Sequence, residues 1–333
     1  MTGRERFEFY LNQVQDLLNK AKVEENPGWW LFSNNLRTPV FMLEALSKLY
    51  GKLHDKSIFN KLQDRFKQLE DVLGDIDHYN AYESEYAEAA MVAAVNVTYL
   101  REQKEMHVQL LNELLSDEKW IDSETPRVDK IRKKLSEVNW LSEQEEMIAI
   151  KKFYLKAISS IQVFYGTTNG RFTDMEEEVH EIRRKLRWLS IYTQALRGSI
   201  QLSDKALPES YLEKYLVPDI VNSPFNKLPE PVGCRYVLLL EKNYFLALSW
   251  LIAELGKLKD AGLGIIVLEE ASKHNRDDAD SERLQSLSAA GKPSLQDYMT
   301  KASEITKAFF EEKNLEKLVG DVVDSRPKTM DNH

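Results

Sequence analysis

The chain has 333 residues, enough for one large domain or two of ordinary size. Acidic residues outnumber lysine and arginine by 54 to 45, which gives a formal charge of −9 at pH 7. This balance argues against broad electrostatic binding to nucleic acid or to an acidic membrane, and it allows only a local basic site. The single cysteine cannot form an internal disulfide, and the sequence opens without an apolar signal segment, so we expect a cytoplasmic protein.

Apolar residues recur with helical spacing along nearly the whole chain, and strand-like alternation is almost absent. This pattern predicts an all-α protein. The predicted helices cover residues 4–22, 32–52, 55–77, 80–115, 126–138, 142–164, 174–200, 236–260 and 294–312, with shorter pieces at 208–216 and 262–274. The apolar stretch Val237 to Leu255 is assigned to a buried helix and not to a membrane span, because charged residues interrupt it.

The most informative segment runs from Val179 to Ile200. On a helix, its basic side chains form one stripe, at spacings of three, four and seven residues: His180, Arg183, Arg184 and Arg187. The opposite face is apolar and consists of Ile182, Leu186, Leu189, Leu196 and Ile200. A basic stripe of this order in an acidic protein is the best candidate for an anion-binding surface.

The two halves of the chain share a pattern. In the first half, Asn34-x-x-Arg37 opens a helix, and Leu73-Gly74 followed by His78 comes about forty residues later. In the second half, His180-x-x-Arg183 opens a helix, and Leu255-Gly256 followed by Asp260 comes after a proline-rich insert. Two helical units of this kind are expected to pack about a pseudo-twofold axis and to share a core.

These residues resemble the CHAD family, the conserved-histidine α-helical domain, over roughly residues 30 to 270. The family has a His-x-x-Arg helix start with further basic residues, repeated in two halves. The second half carries the full motif. The first half keeps Arg37 but has Asn34 in place of the histidine, and Thr38 and Phe41 in place of the next two basic residues.

The resemblance implies two pseudo-symmetric helical-bundle repeats packed into one large helical domain, with a central basic groove. The N-terminal helix at 1–29 is expected to pack on the core. The degenerate first repeat and its connecting helices would occupy 30–165, and the second repeat would occupy 172–275, with the proline-rich insert at 202–233. A C-terminal helix at 294–320 and a disordered tail at 324–333 complete the expected organisation.

CHAD proteins bind inorganic polyphosphate. The resemblance therefore implies a binding module for polyphosphate or another phosphate-rich anion. Because the sequence contains no convincing acid/base or nucleophile constellation, we expect a non-enzymatic protein without a cofactor or metal ion. Arginine guanidinium groups match phosphate oxygens in geometry and charge. The implied ligand residues are His180, Arg183, Arg184, Arg187, Arg37 and Asn34. Because the first half has lost basic residues, binding is expected to be weaker than in a fully basic member.

Two alternatives remain open at this stage. The basic stripe could be a solvated helix face paired with acids such as Glu176, Glu177 and Glu181, which would make the chain a scaffold or protein-interaction domain without an anion ligand. A carboxylate also stands three residues before both His180 and His78, a spacing used by metal-binding helical bundles. The arginines beside His180 argue against a metal, since they would repel it.

Overall fold

The computed structural model of the protein describes residues 1–88, 92, 94–121, 127–203, 208–275 and 293–325. It confirms the all-α prediction. The longer helices are α1 (Gly3–Ala21), α2 (Pro27–Ser33), α3 (Arg37–Leu53), α4 (Lys56–Ala87), α5 (Ala94–Asp117), α6 (Arg127–Ser136), α7 (Glu143–Thr167), α8 (Glu181–Ala195), α10 (Lys242–Asn275) and α11 (Leu295–Glu311). Shorter pieces are a π-helix (Met175–His180), α9 (Pro218–Val221) and two 3₁₀ turns (Ser210–Tyr215 and Pro224–Asn226).

A small three-stranded sheet accompanies the helices, although strand-like alternation is almost absent from the sequence. Its strands are β1 (Ile200–Ser203), β2 (Tyr236–Glu241) and β3 (Val319–Asp324), in the order β1-β2-β3. β1 pairs with β2 in parallel, with Ile200 opposite Leu238, and β3 pairs with β2 in antiparallel, with Val323 opposite Val237. The predicted helix at 236–260 was therefore wrong at its start, because residues 236–241 are a strand and α10 begins at Lys242.

Several other boundaries also differ. α4 runs without a break to Ala87, where two helices separated near residue 78 were predicted, and α10 includes the piece predicted at 262–274. The predicted helix at 174–200 starts as a π-helix capped by Asp174, ends at Ala195 and is followed by β1. The predicted tail at 324–333 begins within β3, since Asp324 pairs with Tyr236, and its residues 326–333 lie outside the described chain.

Contacts of α3 and α10 with their neighbouring helices position the candidate site. α3 packs on both α4 and α8, while α10 packs on α8 and α5. Burial follows the predicted apolar stripe: Ile182, Leu186 and Leu189 of α8 are at most 1% exposed, and they join Leu43 and Leu46 of α3 in one continuous core. This packing leaves the opposite, polar face of α8 at the surface, where Arg184 and Arg187 are exposed. No described helix is both long and apolar enough to cross a membrane.

Candidate anion-binding site

The candidate site lies where α3 meets α8. The rings of Phe41 on α3 and Trp188 on α8 pack with their centroids 5.0 Å apart. Cations lie over both rings, with Lys48 Nζ 4.3 Å from the centroid of Trp188 and the Arg187 guanidinium carbon 5.0 Å from that of Phe41. The aromatic pair thus joins the two helices and holds positive charge from both of them, through cation–π attraction.

Arg37 projects from the first turn of α3 onto α4. Its Nε and Nη2 donate to Glu70 Oε1 at 3.0 and 2.9 Å, and its Nη1 donates to Asp77 Oδ2 at 2.6 Å. The guanidinium lies against Gly74, where an added β-carbon would stand 3.0 Å from Nη2. The two carboxylates therefore neutralise Arg37 and occupy its hydrogen-bonding edges.

Arg183 makes the corresponding contact in the second half. Its guanidinium lies against Gly256 of α10, where an added β-carbon would stand 3.1 Å from Nε. Nε donates to the backbone oxygen of Ile252 at 3.2 Å. Among the described residues, the two terminal nitrogens make no hydrogen bond or ion pair. Burial lowers the pKa of Arg183, and the negative charge of Asp260 acts in the opposite direction.

Arg187 is the least satisfied cation of the stripe. It is exposed to solvent and, within the described part of the chain, takes part in no hydrogen bond or ion pair. Even so, loss of hydration lowers the pKa of its guanidinium to about 10, and repulsion from Arg183 and Arg37 adds to this effect. One side of the guanidinium lies against the Phe41 ring, and the side chain remains accessible to solvent. Arg187 therefore presents a charged guanidinium at neutral pH, close to two other arginines.

The remaining members of the predicted stripe, Arg184 and His180, have carboxylate partners, as does the neighbouring Lys185. Arg184 and Lys185 both pair with Glu181, at 2.6 and 2.9 Å. His180 Nδ1 lies 2.8 Å from Glu176 Oε1. His180 also does not stand at a free helix end, because the π-helix precedes it. These three side chains behave as the solvated, internally paired face that was the alternative interpretation of the stripe.

Asn34 lies apart from the arginines. Its Nδ2 donates to the backbone oxygen of Trp30 at 2.8 Å, and its side chain lines a shallow cleft against α1 together with Asp16 and Thr38. The cleft includes no residue of α8. The structure thus brings Arg37, Arg183 and Arg187 together, and it does not place Asn34 with them.

Sequence reasoning missed four charged side chains of this region. Glu70 and Asp77 hold Arg37, while Glu44 and Lys48 lie one turn apart on the inner side of α3. Burial raises the pKa of Glu44 to about 7 and lowers that of Lys48 to about 8. One signal was present: Glu70, Gly74 and Asp77 share one face of α4 at spacings of four and three, but spacing alone does not reveal which cation they meet.

The metal-binding alternative gains no support from the donor arrangement. Among the described residues, no three His, Cys, Asp or Glu side chains are grouped so as to hold a metal ion. His78 packs edge-on against the rings of Tyr79 and Tyr82, and Asp75 pairs with His107 at 3.6 Å. Within the described residues, the two carboxylate-x-x-His sequences therefore do not supply a set of three metal ligands.

Comparison with known proteins gave no match to this chain among family models, curated proteins or solved structures.

Proposed function

We propose that this chain is a non-enzymatic, CHAD-like helical binding module of two related repeats, and that it binds a phosphate-bearing anion at Arg183 and Arg187. The observation that carries the proposal is the state of Arg187: an exposed guanidinium that lies over Phe41, has no hydrogen bond or ion pair among the described residues, and is repelled by Arg37 and Arg183. An anion placed there would gain charge-assisted hydrogen bonds and relieve the repulsion among the three arginines.

The corresponding contacts of Arg37 with Gly74 and of Arg183 with Gly256 support the proposed relation between the two halves. In each half the glycine follows a leucine, and the arginine Nε bonds the residue four positions before the glycine. Inorganic polyphosphate is the ligand that the family resemblance suggests. We also propose a cytoplasmic location, because the chain has a single cysteine and so cannot form an internal disulfide.

Titration calorimetry with inorganic triphosphate at low salt tests the proposal. Arg187→Gln should weaken binding by about tenfold to a hundredfold, because hydrogen bonds to charged groups are worth about 1.5–3 kcal/mol. Arg184→Gln is the matched control: it lies on the same helix, removes the same charge, and its side chain already pairs with Glu181. Equal losses in both variants would indicate a general charge effect and would contradict the assigned site.

A scaffold or protein-interaction domain without an anion ligand is the second candidate. It is favoured by the internal pairing of His180, Arg184 and Lys185 with carboxylates of their own segment. If the wild-type protein gives no binding heat with triphosphate at low salt, this candidate replaces the first.

A further inference from the structure

The two arginine–glycine contacts can be compared position by position. Gly74 and Gly256 provide the reference points, because each lies directly against its arginine. Four residues before the glycine stands Glu70 in the first half and Ile252 in the second. Three residues after it stands Asp77 in the first half and Lys259 in the second. The same two places therefore carry two negative charges in one half and one positive charge in the other.

This difference changes what each arginine can still bind. Nε, Nη1 and Nη2 of Arg37 each donate a hydrogen bond to Glu70 or Asp77. Within the part of the chain that the structure describes, Arg183 has only the carbonyl oxygen of Ile252 as an acceptor, and Lys259 pairs with its own neighbour Asp260 at 2.6 Å. In the first half, Glu70 and Asp77 thus occupy the guanidinium of Arg37. In the second half, the corresponding residues leave the terminal nitrogens of Arg183 open to a ligand.

We propose that Glu70 and Asp77 are specificity-determining residues that restrict the site to short phosphate anions. The inference rests on the proposed function. A short anion needs only Arg183 and Arg187, whereas a long polyphosphate chain must continue past Arg187 toward Arg37. There it would meet two carboxylates instead of a free guanidinium. Like-charge contact against one class of ligand is a common source of discrimination.

The geometry supports a role of Glu70 and Asp77 in selecting the ligand, in addition to any role in folding. Asp77 is 57% exposed at its side chain, so its ion pair with Arg37 contributes little to stability. The Arg187 guanidinium lies over the ring of Phe41, one helical turn after Arg37 on α3, and the two carboxylates hold Arg37. A chain that extends from Arg187 along α3 toward Arg37 would therefore meet both carboxylates, whereas an anion that stays at Arg183 and Arg187 would not.

The test compares inorganic triphosphate with long-chain polyphosphate in titration calorimetry at low salt. Glu70→Gln with Asp77→Asn keeps the shape of both side chains and removes their charges. This variant should bind the long chain at least about tenfold more tightly than the wild type, because Arg37 becomes available for a charge-assisted contact. Its affinity for triphosphate should change by less than about threefold, since triphosphate does not reach Arg37. Adding Arg37→Gln to the variant should remove the gain.

Asp64→Asn with Asp71→Asn is the control. It removes two negative charges from exposed positions of the same helix. An equal gain for both ligands in the Glu70/Asp77 variant, or the same selective gain in the control, would overturn the inference while leaving the proposed function intact. Binding of triphosphate by the wild type without any long-chain gain in the variant would overturn it as well. Absence of triphosphate binding to the wild type would instead remove the proposed function and, with it, this inference.

Discussion

Arg6 on α1 and Glu146 on α7 form a fully buried ion pair, with Arg6 Nη1 2.6 Å from Glu146 Oε2. The Tyr50 hydroxyl of α3 donates to Glu146 Oε1 at 2.7 Å, and Arg6 Nη2 donates to Ser199 Oγ at 2.7 Å. One network of charged and polar groups therefore ties α1, α3, α7 and the start of β1 together. These hydrogen bonds offset part of the cost of removing two charges from water; among the described residues, Arg6 Nε is buried without a partner.

Glu146→Ala should destabilise the protein by about 3–5 kcal/mol, because it leaves the Arg6 charge buried without its partner. The free energy of unfolding in urea measures the effect. Glu8→Ala is the control, since Glu8 pairs with Arg132 at 2.8 Å across the exposed side of α1 and α6. Its cost should stay below about 1 kcal/mol. Similar losses in the two variants would contradict a special role for the buried pair.

Gly256→Ala should weaken triphosphate binding by about tenfold with little loss of stability. The new methyl would stand 3.1 Å from Arg183 Nε and 3.2 Å from Nη2, so the guanidinium must move away from α10. Alanine recovers up to about 1 kcal/mol of helix propensity, which offsets the crowding. Titration and urea unfolding of the same sample separate the two effects.

Gly166→Ala provides the comparison for that substitution. Gly166 lies in α7, and nothing stands within 4 Å of its added β-carbon. This variant should bind triphosphate as the wild type does and should be equally or more stable. If Gly256→Ala binds triphosphate normally, the position of Arg183 against α10 does not matter for the ligand.

Triphosphate affinity should fall by about tenfold or more as salt is raised from about 0.1 to 1 M, because the Debye length shortens from about 10 to 3 Å. Arg187 is exposed, so mobile ions reach its contacts with the ligand. Calorimetric titrations across this range measure the dependence, and unfolding curves at each salt concentration verify that the protein stays folded. An affinity that does not change with salt would point to apolar contacts instead of the arginines.

The sequence predicted the helices well because their apolar faces recur with the right period. In α8, Ile182, Leu186 and Leu189 are buried as the pattern required. It failed at residues 236–241 because β2 is apolar at five successive positions, from Tyr236 to Leu240, although only three of its six residues are buried, and because α10 follows it without a linker. Periodicity does not distinguish such a strand from a helix turn. Its partner β3 lies some eighty residues away, and no local pattern announces that pairing.

The candidate site was predictable only in part. Helical spacing correctly joined Arg183 and Arg187 on one face, but it also included Arg184 and His180, which turn to Glu181 and Glu176. Whether a basic residue is free or paired depends on rotamers and on neighbouring helices. The carboxylates that hold Arg37 come from α4, more than thirty residues away along the chain. The residue spacing within α3 or within α4 does not reveal which side chains pair between the two helices.

Glu44 gives the protein a pH-dependent stability that one substitution should remove. The residue is 5% exposed and, among the described residues, makes no hydrogen bond or ion pair. Burial raises the pKa of its carboxyl to about 7, and the charge of Glu70 adds to the shift while Lys48 opposes it. The unfolded chain loses this proton near its ordinary pKa of 4.5. The favourable contribution is therefore complete below about pH 4.5 and is lost as the pH rises through 7.

Glu44→Gln cannot ionise and should be more stable than the wild type by about 1–3 kcal/mol near pH 8. The difference should shrink steadily toward about pH 5, where the wild-type carboxyl is protonated in the folded protein. Urea unfolding at several pH values in this range measures it, with the exposed Glu24→Gln as the control. A stability difference between Glu44→Gln and the wild type that does not vary with pH would show that Glu44 ionises normally in the folded protein.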